Sequence, residues 1–432
     1  MKYNGSIYNL KIQEDDKNVY IYNTYTGSLV ELDKELYTTI STKILDDEKK
    51  CESFDLLLKE GLIKPFQLNE FNKLLIKEQM SILSDNCESL TFVIVPTTNC
   101  NLRCSYCFQN MIQKNIHMSK EDIHSIIKFI KSRIRSSTKK VHVTWFGGEP
   151  LMEFDLIVLF SHLMDQIITK KNIKYSASMI TNGTLLDVAK IDVLVNNCHL
   201  SNFQITIDGT EKEYCKMKKA SPIQFHNLFV SLKYLIKYAR VSVRLNCDKN
   251  NYDNLKQVAK DIINFCGINS NLRIYLAKII DYTCMGNEDN YTQSEFDIKL
   301  FEFNKYLAEL LNKKDFKIRL PIYRKQFCGL VKINNLVIGP SCELYKCEHD
   351  IGNQEKIIGN IKQGIFYSDY LLDFLKNSPK DECKKCKLFP ICLGGCPSHK
   401  TNLPNGEGCL FTEKYITDIV KLYLNDSVKS NK

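Results

Sequence analysis

The sequence predicts an α/β protein built on a parallel sheet, and three observations carry that reading. From Leu90 to about Asp281, short runs rich in β-branched and aromatic residues alternate with longer stretches of helical period; this is the pattern of strands joined by crossover helices. Residues 1–88 and 328–432 do not share it, so the alternating part reads as a domain of its own. With 432 residues and a hydrophobic fraction of 44%, the chain has apolar material for about two to four domains.

Residues 1–88 read as a small sheet and three helices. Ser6–Ile12 and Asn18–Asn23 alternate as strands do, Thr26-Gly27 marks a turn, and Ser28–Leu32 returns as a third strand. Asp33 is placed to cap a helix over Lys34–Ile44, a second over Cys51–Glu60 stops at Gly61, and a third, Asn69–Leu83, follows the break at Pro65. In residues 89–281 the strands are Thr91–Val95, Val141–Phe146, Lys174–Ile180, Phe203–Ile207, Arg240–Cys247 and Leu272–Lys278. Helical stretches between them are Ser119–Arg135, Asp155–Thr169, Asp187–Asn196, Ile223–Tyr238 and Tyr252–Phe265. Six strands are too few to close an eight-stranded barrel, and functional groups belong at the carboxyl ends of such strands. Residues 282–327 turn polar and then helical, and read as a bridge to the region that Cys328 opens.

No stretch is long enough to span a membrane, and Met1-Lys-Tyr-Asn-Gly lacks the features of a signal peptide, so a cytoplasmic protein is expected. Reducing compartments keep thiols apart. Eighteen cysteines are then metal ligands and packing residues rather than a disulfide framework. The formal net charge of +9 comes from Lys residues scattered among Glu and Asp. The absence of an Arg-rich run with interleaved aromatics argues against nucleic acid; a modest positive field equally suits a carboxylate or an acidic peptide.

The densest chemistry lies in Cys100-Asn-Leu-Arg-Cys104-Ser-Tyr-Cys107, three thiols in eight residues just after the first predicted strand. Three thiolates can hold one iron–sulfur cluster, and on a four-iron cluster they leave one iron without a protein ligand. A zinc site is the alternative, but it wants a fourth Cys or His close by, and none follows before His117. The spacing C-x3-C-x2-C, with Asn101, Leu102, Arg103 and Phe108 around it, resembles the signature of the radical S-adenosylmethionine (radical SAM) enzymes.

That resemblance implies a partial (β/α)6 barrel, a [4Fe-4S] cluster on Cys100, Cys104 and Cys107, and S-adenosyl-L-methionine on its open iron. Phe146-Gly-Gly-Glu-Pro150, after the second strand, resembles the family's Gly-Gly-Glu motif, which assigns the cofactor's amino group to Gly147, Gly148 and Glu149. Thr181-Asn182-Gly183-Thr184 ends the third strand and resembles another loop near the cofactor. Asp208-Gly209 ends the fourth. Arg244 and Asn246, near the end of the fifth, either reach the cofactor's ribose or carboxylate or form an ordinary polar pair. After Asp208-Gly209, related peptide-modifying enzymes carry a His-Asp pair and then Arg. Here the segment reads Glu213-Tyr-Cys-Lys-Met-Lys-Lys219, and the resemblance assigns it no role.

The third region carries Cys328, Cys342, Cys347, then Cys383-x2-Cys386-x5-Cys392-x3-Cys396, and Cys409. This resembles the SPASM extension of radical SAM enzymes, which holds two auxiliary iron–sulfur clusters; a zinc ribbon is the alternative for the C-x2-C pair. By analogy Cys383, Cys386, Cys392 and Cys409 hold one cluster, and Cys328, Cys347 and Cys396 the other. The second set is one ligand short, a place for a substrate thiolate or for a local group such as Tyr323 or Glu343. Cys342 stands where the family has glycine. Five extended residues, roughly 16 Å, separate it from Cys347, so it is expected to stay off that cluster. The remaining Cys51, Cys87, Cys198, Cys215, Cys247, Cys266 and Cys284 read as packing residues.

By the same resemblance, residues 1–88 are a winged-helix-like domain that holds the leader of a precursor peptide; a structural cap on the barrel is the alternative. The chain as a whole resembles the radical SAM/SPASM peptide maturases. That implies three iron–sulfur clusters, an external one-electron reductant and a Cys-containing, ribosomally made precursor. A 5′-deoxyadenosyl radical takes hydrogen from an unactivated carbon, and a cysteine-to-carbon thioether is the expected product. Carbon–carbon or ether crosslinks, or oxidation of Cys or Ser to formylglycine in a sulfatase, are alternatives within enzymes. A non-catalytic iron–sulfur sensor is the alternative outside them.

Overall fold

A computed structural model describes residues 1–46, 53–84, 87–111, 115–280, 288–311, 319–402 and 408–430. The expectations for Cys51 and Cys284, and for most of the polar start of the bridge, lie outside the described residues. The chain forms two compact units. One joins Met1–Leu83, Thr292–Cys328 and Lys376–Lys432; the other joins Ser84–Tyr291 and Gly329–Leu375. These units cut across the segments read from the sequence, because the region after Cys328 is shared between them.

The first unit begins with β1 (Lys2–Gly5), β2 (Asn9–Glu14), β3 (Asn18–Asn23), β4 (Leu29–Asp33), α1 (Lys34–Thr42), β5 (Leu45–Asp46), α2 (Phe54–Lys59), β6 (Ile63–Pro65) and α3 (Glu70–Leu83). β2, β3 and β4 form an antiparallel sheet, and β5, β1 and β6 a second one. Ser6–Ile12 is therefore not one strand. The break falls where Glu70 accepts from the Ser6 hydroxyl at 2.6 Å and from the Ile7 N–H at 2.9 Å, which turns the backbone between β1 and β2. Asp33 caps α1 as expected, accepting from the Leu36 N–H at 2.7 Å.

Strand alternation sends side chains of this sheet to two cores. Val19, Ile21 and Leu32 pack with Leu57 and Leu62. Leu10, Ile12 and Tyr22 pack instead with Leu388, Ile391, Ile416 and Val420. Tyr8, Phe71 and Leu74 join Phe389 and Leu393, with Cys383 and Cys386 at the margin. The Tyr22 hydroxyl donates to the Pro321 carbonyl and the Thr24 hydroxyl to that of Lys387. The N-terminal sheet is thus buried on both faces, one of them by the cysteine-rich tail.

Glu78 on α3 is 1% exposed, and burial raises its carboxyl to about 7, against the pull of Asn377 and Lys400. The folded state binds a proton more tightly than the unfolded chain between pH 4.5 and about 7. This contribution is therefore present in full below that window and is lost as pH rises through it. Glu78→Gln should leave the thermal midpoint unchanged at pH 4.5 and raise it at pH 8, by up to about 3 kcal/mol of stability. Equal midpoints at pH 8 would contradict the assignment.

The second unit contains β7 (Ser89–Ile94), α4 (Lys120–Arg133), β8 (Lys140–Trp145), α5 (Phe154–Lys171), β9 (Lys174–Thr181), α6 (Val188–Asn196) and β10 (Leu200–Thr206). It continues through α7 (Glu211–Lys218), α8 (Pro222–Leu235), β11 (Arg240–Cys247), α9 (Tyr252–Cys266) and β12 (Leu272–Lys278). β7 to β12 pair in parallel, each with the next. β13 (Leu336–Ile338) pairs in parallel with β7, and β14 (Glu343–Tyr345), β15 (Gly359–Asn360) and β16 (Gly364–Ile365) follow antiparallel. The result is an open ten-stranded sheet in which the six parallel strands stay in chain order.

One face of this sheet is apolar: Val141, Val143, Trp145, Tyr175, Ala177 and Met179 are buried. The other is polar and half-buried, and on it His142 bonds the hydroxyls of Ser176 at 2.8 Å and Ser178 at 3.0 Å. This is why the strands show a period of two where a sheet covered on both faces would read as continuous apolar runs.

Candidate active site

The loop after β7 carries Cys100, Cys104 and Cys107, and its two ends are tied together. The Thr98 N–H donates to the Ile116 carbonyl at 2.9 Å, Met118 N–H to Pro96 at 2.8 Å, and Asn115 N–H to the Asn99 side chain at 2.7 Å. Within the loop the Leu102 N–H points at the Cys100 sulfur, 3.4 Å away, and the Asn182 amide lies 3.7 Å from the same atom. Burial raises the Cys100 thiol and pushes Cys104 up to about 11, and charge on neighbouring thiols of the trio adds to both shifts. Without a metal these thiols stay protonated at neutral pH; coordination would release the protons. Among the described residues no group of three or more His, Cys, Asp or Glu is gathered for a single metal ion.

The Gly-Gly-Glu loop after β8 lies directly against this loop. A Cβ on Gly147 would sit 2.6 Å from the Thr97 carbonyl oxygen, and one on Gly148 2.0 Å from that of Asn99. Gly147 also has φ +139°, so glycine is required here by contact and by conformation. The Gly148 and Glu149 N–H groups donate to the carbonyls of Thr97 and Asn99 at 3.1 and 2.7 Å.

Glu149 has protein partners as well. Its buried carboxylate already accepts from the Leu151 N–H at 3.0 Å, the Thr181 hydroxyl at 2.8 Å and the Asn182 N–H at 2.8 Å. A carboxylate has about four acceptor sites, so at most one remains for an ammonium. Burial raises this carboxyl to about 6, opposed by those donors. Glu149 clamps the ends of β8 and β9, and Asn182 passes the clamp on, donating to the Asn101 side chain at 2.9 Å.

Arg244 and Asn246 form the polar pair that was the alternative: Arg244 Nε donates to Asn246 Oδ1 at 2.7 Å. Asn246 Nδ2 donates to the Tyr106 hydroxyl at 3.1 Å, and its N–H to Asp208 at 3.0 Å. The side-chain amide of Asn246 thus meets a protein partner at each end. Tyr106 in turn donates to Asp208, and Asp208 is paired with Lys218 at 3.0 Å, both fully buried. The sequence reading missed Tyr106, Asp208 and Lys218 as a unit. A lysine in a stretch rich in lysines carries no sign of burial.

In the first unit, burial raises the thiols of Cys383, Cys386 and Cys392; charge on Cys386 and Cys409 adds to the shift at Cys383, charge on Cys386, Cys383 and Cys409 to that at Cys392, and charge on Cys409 to that at Cys386. Burial pushes Cys392 up to about 12. A Cβ on Gly395 would lie 1.8 Å from the Gly408 carbonyl oxygen, so two glycines let the Cys392–Cys396 turn touch the backbone before Cys409. Of the second set, Cys328 and Cys396 belong to this unit and Cys347 to the other. Tyr323 packs on Tyr25, ring centroids 5.2 Å apart. The Glu343 carboxylate accepts from the Ser341 N–H at 2.8 Å inside its own hairpin.

In the second unit Cys347 lies 3.5 Å from His349 Nδ1, and the His349 ring stacks near Phe108 at 4.8 Å. Burial lowers His349 to about 4, with Arg244 adding to it, and raises the Glu348 carboxyl against the pull of Arg244. Neither residue stood out in the sequence. Cys342 sits at a turn with φ +64°, a conformation that suits glycine, and its thiol faces Asp122 at 3.5 Å.

The three-cysteine loop and the parallel strands that carry it lie within residues 94–262, which match the family model of the radical SAM superfamily. That family works with a [4Fe-4S] cluster and S-adenosylmethionine. The residues present fit the cluster: the half-buried thiols of Cys100, Cys104 and Cys107 supply the donors from one loop, and the glycine pair lets the Gly-Gly-Glu loop close against it.

Among proteins of known activity, the chain is 24% identical over 357 residues to a cysteine-type anaerobic sulfatase-maturating enzyme of Clostridium perfringens (strain 13 / Type A), covering 71% of this chain and 88% of the other. It is 20% identical over 350 residues to the serine-type enzyme of Klebsiella aerogenes, covering 74% and 82%. In fold it resembles anSMEcpe with bound AdoMet, with a TM-score of 0.61, 19% identity, and 79% and 97% covered. It also resembles Streptococcus suis SuiB bound to precursor peptide SuiA, with a TM-score of 0.54, 15% identity, and 95% and 99% covered. No helix among the described residues is long and apolar enough to cross a membrane.

Proposed function

We propose that this chain modifies a precursor peptide, and that its product is a cysteine-to-carbon thioether. The observation that carries the peptide reading is the free edge of β4. The strand ends its sheet and borders a cavity of about 160 Å³ lined by Val30, Leu32, Leu36, Leu56 and Leu62, with Glu31, Asp33 and Glu60 among the polar lining. An open edge beside an apolar groove accepts an extended peptide as a further strand. The likeness to SuiB, bound there to a precursor peptide, extends over 95% of this chain against 79% for anSMEcpe and supports the peptide reading. A sulfatase-maturing activity is the second reading, favoured by the sulfatase-maturating relatives.

The cluster and S-adenosylmethionine together supply a radical able to take hydrogen from an unactivated carbon. The protein's share is positional. Cys100, Cys104 and Cys107 hold the cluster, Glu149 and Asn182 brace the loop, and the open polar face of the sheet receives the residue to be modified. Cys383, Cys386, Cys392 and Cys409 hold an auxiliary cluster. Anaerobic incubation with reductant, S-adenosylmethionine and a Cys-containing precursor should remove two hydrogens from the peptide and protect one cysteine from alkylation. Conversion of a sulfatase-derived peptide to formylglycine, with no change in the precursor, would decide for the second reading.

The β4 edge can be tested alone. Asn23 N–H donates to Ser28 at 2.8 Å and Lys34 N–H to Lys17 at 3.0 Å, and ladder bonds alternate between these pairs. Glu31, opposite Tyr20, thus turns its N–H away from β3. Glu31→Pro removes that outward donor without breaking the β3–β4 ladder. Leader affinity by calorimetry should fall about tenfold, and an unchanged affinity would place the leader elsewhere.

A further inference from the structure

We infer that the peptide segment taken at the β4 edge is basic around an apolar anchor: a Lys or Arg, then one side chain about the size of Phe or Leu, then a second Lys or Arg. The inference rests on the reading of that edge as the peptide site, and it names the class of leader that the edge selects.

Strand alternation divides the side chains of β4 between two faces. Val30 and Leu32 lie on the face that packs with Leu57 and Leu62. Leu36 and Leu56 border the same cavity, and Leu56 is 51% exposed. The cavity, about 160 Å³, is close in volume to one that holds a benzene ring, so a single large apolar side chain fills it. Glu31 belongs to the other face. It stands opposite Tyr20, which packs against the core of Leu10 and Tyr22, and its carboxylate accepts from the Asn18 amide at 2.6 Å. An added strand alternates in the same way whichever direction it runs. An anchor set beside Leu32 therefore brings its two chain neighbours against Glu31 and Asp33.

The charge at this edge has one sign. Glu31, Asp33 and Glu60 border the cavity, and no Lys or Arg is among the described residues that line it. Each carboxylate has an uncharged partner: Asn18 for Glu31, the Leu36 N–H for Asp33 at 2.7 Å, and the Ser28 hydroxyl for Glu60 at 2.6 Å. Such bonds leave the charge in place. Lys34, next in the chain to Asp33, turns instead to Glu14 at 3.0 Å, and Lys11 pairs with the same carboxylate. The chain's net charge of +9 favours an acidic peptide at long range, but salt screens exposed charges beyond about 10 Å. At strand-pairing distance the three carboxylates are the nearer charges. Opposite charges facing each other across paired strands are favourable and like charges unfavourable, so this edge holds a basic segment and refuses an acidic one.

The test is calorimetry of the full-length protein with synthetic peptides, so that the comparison does not depend on a variant that folds. The first peptide is Ser-Thr-Val-Lys-Phe-Lys-Val-Thr-Ser; the second has Glu for both Lys, and the third has Ala for Phe. The first should bind about tenfold more tightly than the second, and that gap should close in about 1 M salt. The third should bind about tenfold or more weaker than the first. Glu31→Lys should remove or invert the preference for the first over the second. Equal affinities of the parent for the first and second peptides, or for the first and third, overturn the inference, and so does a first peptide that does not bind. Glu31→Pro separates the inference from the reading beneath it. If it weakens the first and second peptides alike, and the parent holds them equally, the edge takes peptides without selecting basic ones. If it leaves the affinity for the first peptide unchanged, peptides do not lie at this edge and the underlying reading falls as well.

Discussion

Replacing Cys100, Cys104 and Cys107 together with alanine should abolish formation of 5′-deoxyadenosine and remove about one third of the iron from a protein that otherwise holds three clusters. The loss should be complete rather than graded. The three thiols sit in one loop, and burial, with charge on the rest of the trio adding to it, raises both Cys100 and Cys104, so the three act as one ligand set. The fold should survive, because the loop's ends are held by main-chain bonds of residues 96–99 with 115–118 that do not involve sulfur. Iron analysis and chromatography of the nucleoside product check both halves. A variant that still cleaves S-adenosylmethionine at the parent rate would move the reaction to another site.

The second large effect is expected from deletion of residues 1–88. Viewed as a sequence, this region is a detachable leader-binding module whose removal weakens peptide binding and leaves every cluster in place. The packing argues otherwise. Tyr8, Leu10, Ile12 and Tyr22 are each 3% exposed or less, and they share their cores with Leu388, Phe389, Ile391 and Leu393. Burying each such side chain contributes about 1.5–3 kcal/mol. Four of them together approach the 5–15 kcal/mol that separates a folded domain from its unfolded chain. Deletion should therefore unfold the segment bearing Cys383, Cys386, Cys392 and Cys409 and lose its iron. The cluster of the parallel-sheet unit, which has its own core, should persist. Retention of all the iron would show that the cysteine-rich tail folds without the N-terminal sheet.

Much of the parallel-sheet unit was legible because its signals are local. All six strands lie within a few residues of their expected places, and five helices likewise, since strand and helix periods are properties of short windows. The additional helix α7 escaped notice because Glu211–Lys218 is charged and has no apolar stripe. The cysteine spacings were legible for the same reason: a metal cluster needs its ligands within reach, and a loop of eight residues supplies three. Ser6–Ile12 went wrong because the break is made by Glu70, more than sixty residues away.

By itself, then, the sequence determined the radical SAM resemblance, the alternation of strands and helices in the parallel-sheet unit and the cysteine motifs, all of which depend on spacing and period. Only the tertiary structure decided that Glu149 braces two strand ends, that Asn246 is held by Tyr106 and Arg244, and that Lys218 lies buried against Asp208. It alone also joined the N-terminal sheet to the cysteine-rich tail. The physical reason is common to these cases. Whether a polar side chain is a ligand, a brace or a buried counter-charge depends on which distant groups share its burial and its hydrogen bonds. Which cores two chain segments share depends on long-range packing, and neither leaves a mark in the residues nearby.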